Sequence, residues 1–290
     1  MIEPLEYSRN GPLLLFTHAN GYPPESYRTF LNPFLSDYQV KGLYLRPFWP
    51  EANPESVSDW RVFRDDYLLY LEKVDSEQNK TEPEVNHARG IIAVGHSVGA
   101  MTSLMAAIKR PEIFRALVLI EPVLFPPLVG LIMRMAAPFN MLRQAHPIIR
   151  RTLWRRVFFS SREEMFSNYR GKPIFSRLSD NVLRDYVSGL SSDTPDGSVM
   201  LKYSPAWEMK IYETSGIADG YVWKNLPKIP CPVLILRGEE SYILRARVVW
   251  MMEKLLPYGQ AFNMTDTGHL APLEAPSRTA QLVIEFLKSV

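Results

Sequence analysis

Six short apolar runs recur along the chain, and most are continuous rather than alternating: GPLLLFTH at 11–18, YQVKGLYL at 38–45, ARGIIAVG at 88–95, FRALVLIE at 114–121, CPVLILRG at 231–238 and the weaker QAFNMT at 260–265. A strand with one wet face alternates apolar and polar residues, whereas a strand covered on both faces need not. These runs therefore predict parallel strands buried between two layers. Segments with helical period lie between them. DWRVFRDDYLLYLEKV (59–74) sets Trp60, Phe63, Tyr67, Leu68 and Leu71 on one stripe, residues 98–109 form a helix of small residues, and SRTAQLVIEFLKSV (277–290) closes the chain. Strands alternating with helices predict βαβ units, hence an α/β fold with a mostly parallel, doubly wound sheet.

The alternation lapses between Pro122 and about Lys202, where the chain is punctuated by proline, leans to helix and is poor in strands. The stretch is also basic: eleven Lys and Arg between Arg134 and Asp185 face four acids. The expected division is a core of residues 1–122 and 201–290 with a helical lid, or cap, over 123–200. That lid belongs above the carboxyl ends of the strands, where open α/β sheets bind ligands. Leu128, Leu131, Ile132, Met133, Met135, Phe139 and Met141 offer either an adaptable apolar lining for substrate or packing of lid on core. The arginines either attract an anionic substrate or form a solvated helix face.

Composition narrows the function. Hydrophobic residues make up 46% of 290 positions, enough for a substantial core, and a net charge of +2 gives no footprint for nucleic acid. No window of about 18 residues is uninterruptedly apolar, so no membrane span is expected. MIEPLEYSRNGPLLLF lacks the basic and long apolar regions of a signal peptide. The lone cysteine, Cys231, precedes Pro232 and VLIL and reads as a buried strand thiol. One cysteine builds no disulfide framework and fits a reducing, cytoplasmic compartment. The histidines are scattered, with no His-x-x-x-His and no cysteine pair, so no metal is implied. No glycine-rich nucleotide loop appears, and no cofactor is expected.

The chemistry concentrates at AVGHSVG (93–99). A serine hydroxyl is a poor nucleophile unless it is exposed to substrate and served by a base. A tight strand-to-helix turn holds Ser97 clear of the sheet, and Gly95 and Gly99 spare the neighbouring strand and helix a clash. The same turn aims the first N–H groups of the helix at a reacting oxygen.

This elbow resembles that of the α/β-hydrolase family, and two further segments match in order. FTHANGYPPESY (16–27) is similar to the family's His-Gly loop after its third strand, and TDTGHLAPLEAP (265–276) to the loop that presents the catalytic histidine. The resemblance runs from the strand at 11–18 to the last helix. It is nearest to lid-bearing bacterial serine hydrolases and more distant to the epoxide hydrolase and haloalkane dehalogenase branch, which carries aspartate where this chain has Ser97. Ala19 departs from the family's usual glycine, and the family's first antiparallel strands are expected to be missing or vestigial.

The resemblance implies Ser97 as nucleophile, His269 as base and an oxyanion hole built from backbone N–H groups of Val98 and Asn20. It gives His18 the task of holding the oxyanion loop, treats His96 as the variable elbow residue, and assigns nothing to His87 and His146. The acid stays open. Its usual position, three residues after the glycine of VLILRG, is Ser241, which cannot ionise. Glu240 stands one residue earlier and Asp266 is a further option. Glu121, ending the strand after the elbow helix, matches a second site used by some dehalogenase-like members. A glutamate that ends a buried strand needs a partner to offset its burial, and an imidazolium would be one, so Glu121 is preferred to Glu240. The expected reaction is hydrolysis of a carboxylic ester or thioester with an apolar acyl part through an acyl-enzyme. Carbon–carbon bond hydrolysis would use the same groups. A non-catalytic member of the fold that binds a ligand or protein is the alternative from another class, and a lyase of the hydroxynitrile type ranks last.

Overall fold

A computed structural model describes residues 2–81, 90–139 and 152–290, with backbone alone for 75–81. His87, Met141, Arg143, His146, Arg150 and Arg151 lie outside the described residues. A two-residue strand, β1 (Leu5–Glu6), precedes β2 (Leu13–Thr17), α1 (Arg28–Leu31), β3 (Gln39–Leu43), α2 (Arg61–Thr81), β4 (Ile91–His96), α3 (Val98–Lys109) and β5 (Phe114–Ile120). The chain then leaves the sheet. It forms α4 (Pro127–Ala136), β6 (Phe158–Phe159), α5 (Arg162–Arg170), α6 (Asp180–Leu190), β7 (Ser191–Asp193), β8 (Val199–Leu201), α7 (Pro205–Glu213) and α8 (Asp219–Asn225). It returns through β9 (Val233–Gly238), α9 (Ala246–Leu255), β10 (Gly259–Met264), the single turn α10 (Ala271–Glu274) and α11 (Pro276–Lys288).

Each of the six apolar runs supplies one strand of the central sheet. Its order is β1-β3-β2-β4-β5-β9-β10, with every pair parallel except β1 against β3. The order reverses between β2 and β4: the chain builds outward to β3 from one and to β5, β9 and β10 from the other. Right-handed crossovers then place α1 on one face and α2, α3 and α9 on the other. In agreement, α2 packs on α3, and α11 packs on α1. Burial on both faces is why β4 reads IIAVGH with all six residues buried. Trp60, just before α2, and Phe63, Tyr67, Leu68 and Leu71 on it are buried in the same core. The short strand β1 edges the sheet, its Leu5 and Glu6 pairing antiparallel with Gly42 and Lys41.

The excursion between β5 and β9 differs from its sequence expectation in two ways. It is not purely helical, because β6, β8 and β7 form a small antiparallel sheet in that order. Strands of two or three residues are too short to show a period. The turn between β7 and β8 did carry a signal, the pair Asp196-Gly197 with Gly197 at φ 84°. Second, two further helices, α7 and α8, stand between residue 200 and β9, and α8 packs on the core helix α3 as well as on α4.

Where α8 meets the segment leading into α4, Asp219 is 2% exposed and accepts the Phe125 N–H at 2.8 Å. Burial pushes its carboxyl up to about 7, against the pull of that N–H. An unfolded aspartate ionises near pH 4. From about pH 4 to 7 the unfolded chain therefore sheds this proton while the folded chain keeps it, so the group subtracts stability as pH rises and the loss is complete above about 7. Asp219→Asn keeps an acceptor for Phe125 and removes the ionisation. Thermal melts should show variant and wild type equal near pH 4 and the variant more stable at pH 8, by up to about 4 kcal/mol. A difference that does not change with pH would refute this account.

Candidate active site

Ligands of open α/β sheets bind outside the carboxyl ends of the strands, at the point where strand order reverses. Here that point is the crevice between β2 and β4. The residues emerging there are His18-Ala19-Asn20 after β2 and Ser97-Val98 after β4. Ser97 takes φ 58° and ψ −119°, a left-handed-side backbone that a side chain adopts only under constraint. The constraint is visible: a Cβ on Gly99 would lie 2.2 Å from the Thr17 carbonyl oxygen, and one on Gly95 would lie 2.6 Å from the Ala100 nitrogen. Strand β2, the elbow and α3 thus meet backbone to backbone, and glycine alone permits it.

Glu121 follows β5 at φ 50° and is fully buried. Its Oε1 accepts the Gly238 N–H at 2.6 Å; its Oε2 accepts the Ser241 hydroxyl at 2.5 Å and the Nδ1–H of His269 at 2.9 Å. Three donors converge on one carboxylate, which is how a buried charge is made tolerable. Because the carboxylate only accepts, Nδ1 of His269 carries the proton and Nε2 presents a lone pair. That Nε2 lies 3.0 Å from Ser97 Oγ. The structure thus brings Ser97, His269 and Glu121 into one hydrogen-bonded line. Glu240 is not in it: its carboxylate pairs with Arg177 on the surface. Asp266 is exposed and meets Arg177 only through its backbone carbonyl.

Val98 is the first residue of α3, where N–H groups have no partner within the helix. In the loop after β2, the Ala19 N–H donates to Tyr27 and the Tyr22 N–H to the Ala19 carbonyl, leaving the Asn20 N–H without an acceptor among the described residues. The Asn20 side chain is turned to the excursion, accepting from Tyr203 and donating to the Glu208 carbonyl at 3.2 Å. The loop itself is held by His18, whose Nδ1–H donates to the Ala19 carbonyl while Nε2 accepts the Leu45 N–H. Burial pushes the His18 imidazole down to about 4, so it stays neutral.

A family model described as "Alpha/beta hydrolase family" matches residues 14–282. The chain belongs to that family. Among curated relatives, the uncharacterized hydrolase YugF of Bacillus subtilis strain 168 is 25% identical over 203 residues, covering 68% of this chain and 65% of its own length. Bifunctional epoxide hydrolase 2 of Rattus norvegicus is 21% identical over 310 residues, covering 97% of this chain and 52% of its own. The chain therefore spans between half and two thirds of these relatives. Among solved structures, an E-2-(acetamidomethylene)succinate hydrolase superposes with a TM-score of 0.74 at 18% identity, over 98% of this chain and 93% of the other. A thioesterase domain from the curacin biosynthetic pathway gives 0.72 at 14%, over 97% and 93%. These two show the shared fold.

In this alpha/beta hydrolase, Ser97 and His269 open into a cavity of about 580 Å³. Its walls are mostly apolar, among them Leu124, Phe125, Val129, Met133 and Ile211 of the excursion and Trp60 of the core. Of the seven apolar residues that could either line it or pack the lid on the core, Met133 lines it, and Met141 lies outside the described residues. Leu128, Leu131, Ile132 and Met135 of α4, and Phe139 just beyond it, are instead exposed, because α4 turns the side carrying Val129, itself 40% exposed, and Met133 toward the cavity and the other side outward. The described arginines of the excursion are largely paired: Arg155 is buried against Glu208 and the hydroxyls of Tyr169 and Tyr186, and Arg156, Arg162, Arg170, Arg177 and Arg184 each meet an acid.

Three residues at the site escaped sequence reasoning in their actual parts. Ser241, at the usual acid position, holds the acid instead of being it, and its Oγ also accepts the N–H groups of Ile243 and Leu244. His96 is fully buried, and burial drives its imidazole well below its ordinary range. Its Nε2–H donates to the His269 carbonyl at 2.8 Å, while Nδ1 accepts the Tyr27 hydroxyl at 2.7 Å. Tyr27 in turn accepts from the Ala19 N–H. One neutral chain of donors thus ties the loop after β2 to the loop of His269. Among the described residues no cluster of His, Cys, Asp and Glu could hold a metal, and no helix is long and apolar enough to cross a membrane.

Proposed function

We propose that the chain is a serine hydrolase that cleaves a carboxylic ester or thioester with an apolar acyl part through an acyl-enzyme. The observation that carries this reading is the line Ser97 Oγ–His269–Glu121 at the wall of an apolar cavity. Ser97 Oγ attacks the carbonyl carbon as its proton passes to His269 Nε2, and Glu121 stabilises the imidazolium through Nδ1. The N–H groups of Val98 and Asn20 take the oxyanion. Collapse breaks the bond to the leaving group, which receives the proton from Nε2. Water then repeats the sequence, releasing the acid and restoring Ser97. Residues 123–200 act as the lid, supplying apolar walls that exclude water from the reacting bond. The single cysteine, buried and unpaired, supports a cytoplasmic location.

The test is reaction with a fluorophosphonate probe followed by turnover of a p-nitrophenyl ester and acyl-CoA panel. Labelling should map to Ser97 and vanish in Ser97→Ala. Folded wild-type protein that takes up no label would overturn the reading.

A further inference from the structure

The cavity holds a group that the proposed reaction does not use. Arg245 lines it from an exposed position, whereas Ser97 is buried. Among the described residues no Asp or Glu lines this cavity, and the Arg245 side chain makes no ion pair or hydrogen bond. This sets it apart from the paired arginines of the excursion. Its backbone, by contrast, is fixed. Ser241 Oγ donates to Glu121 and gathers the N–H groups of Ile243 and Leu244, and Arg237 Nε donates to the Leu244 carbonyl at 2.7 Å. The Arg245 carbonyl then accepts the first N–H groups of α9, from Val248 and Val249. An arginine is thus launched from a main chain pinned to Glu121 itself, with its guanidinium unclaimed.

A cation without a counterion, beside low-dielectric walls, leaves a positive potential over the opening. The guanidinium fork takes a carboxylate or phosphate through two parallel charge-assisted bonds. We infer that Arg245 selects esters or thioesters carrying an anionic group, carboxylate or phosphate, on the part that reaches the mouth of the cavity. The inference rests on the serine-hydrolase reading and adds the charge class of its substrate.

The experiment compares kcat/KM for matched pairs in wild type, Arg245→Gln and Arg245→Lys. p-Nitrophenyl hemiglutarate against p-nitrophenyl valerate places the anion on the acyl chain. Butyryl-CoA against the neutral butyryl thioester of N-acetylcysteamine places phosphate on the leaving group. Arg245→Gln should lower kcat/KM at least tenfold for the anionic member of one pair and less than threefold for its neutral partner, with Arg245→Lys between. The pair that responds names the source of the charge. Equal losses for anionic and neutral members, the result expected of an arginine stem that merely covers apolar surface, would overturn the inference. If none of the four is turned over, calorimetric titration with glutarate and with coenzyme A decides: binding of either at least tenfold tighter to wild type than to Arg245→Gln supports the anion site, and equal or absent binding of both overturns it. The hydrolase reading fails on a different result, the lack of Ser97 labelling.

Discussion

Ser97→Ala should leave a folded protein whose ester turnover is lower by at least about four orders of magnitude in kcat. The Ser97 side chain makes one hydrogen bond, to His269 Nε2, and is not part of the packing that fixes the elbow. That packing is the approach of Gly95 and Gly99 to neighbouring backbone, which the substitution leaves alone. Melting temperature should therefore move little while activity disappears, in a steady-state assay against any ester the wild type accepts. Retention of even a tenth of wild-type kcat would remove Ser97 from the reaction.

Glu121→Gln is the second substitution with a large expected effect, a loss of about 10⁴ in kcat. Size is nearly conserved, but an amide both donates and accepts. If the NH₂ of the new side chain faces Nδ1, the imidazole must turn its lone pair toward that amide and carry its proton on Nε2, facing Ser97, where it cannot accept one. The charge that steadies the imidazolium is lost in either orientation. Glu240→Gln, which breaks only an exposed pair with Arg177, should change kcat by less than about threefold. A Glu240→Gln enzyme as impaired as Glu121→Gln would show that the acid had been misassigned.

The strands were legible because burial on both faces writes an unbroken apolar run, and each of the six runs supplies one. The small sheet of the excursion was not, since two- and three-residue strands such as Phe158–Phe159 leave no period to read. Helical period also failed on α4 in an instructive way. It shows which residues share a face, but the face that turns inward is chosen by what lies opposite, and here Val129 and Met133 won over Leu128, Leu131 and Ile132. At the site, the serine and histidine carry local signatures, a glycine-flanked turn and a loop before the last helix. Glu121 was singled out by its match to a second acid position of the resembling family and by the cost of ending a buried strand on a carboxylate, and the structure adds its hydrogen bond to His269. Ser241 looked like a defect because its part is defined by a residue 120 positions away. His96 looked variable for the same reason: its partners, Tyr27 and the His269 carbonyl, are distant in sequence and give it no local mark.

Housing the carboxylate at the end of β5 matters for engineering. When the loop after β9 supplies the acid, every insertion or substitution there risks the reaction itself. Here the stretch after β9 gives Glu121 one hydroxyl, from Ser241, beside the Gly238 N–H that ends β9, so in the proposed reaction the acid itself does not come from that loop. Tyr242, Ile243 and Arg245 all reach the cavity from this stretch. A library confined to these three positions is therefore the natural starting point for retuning what the enzyme accepts.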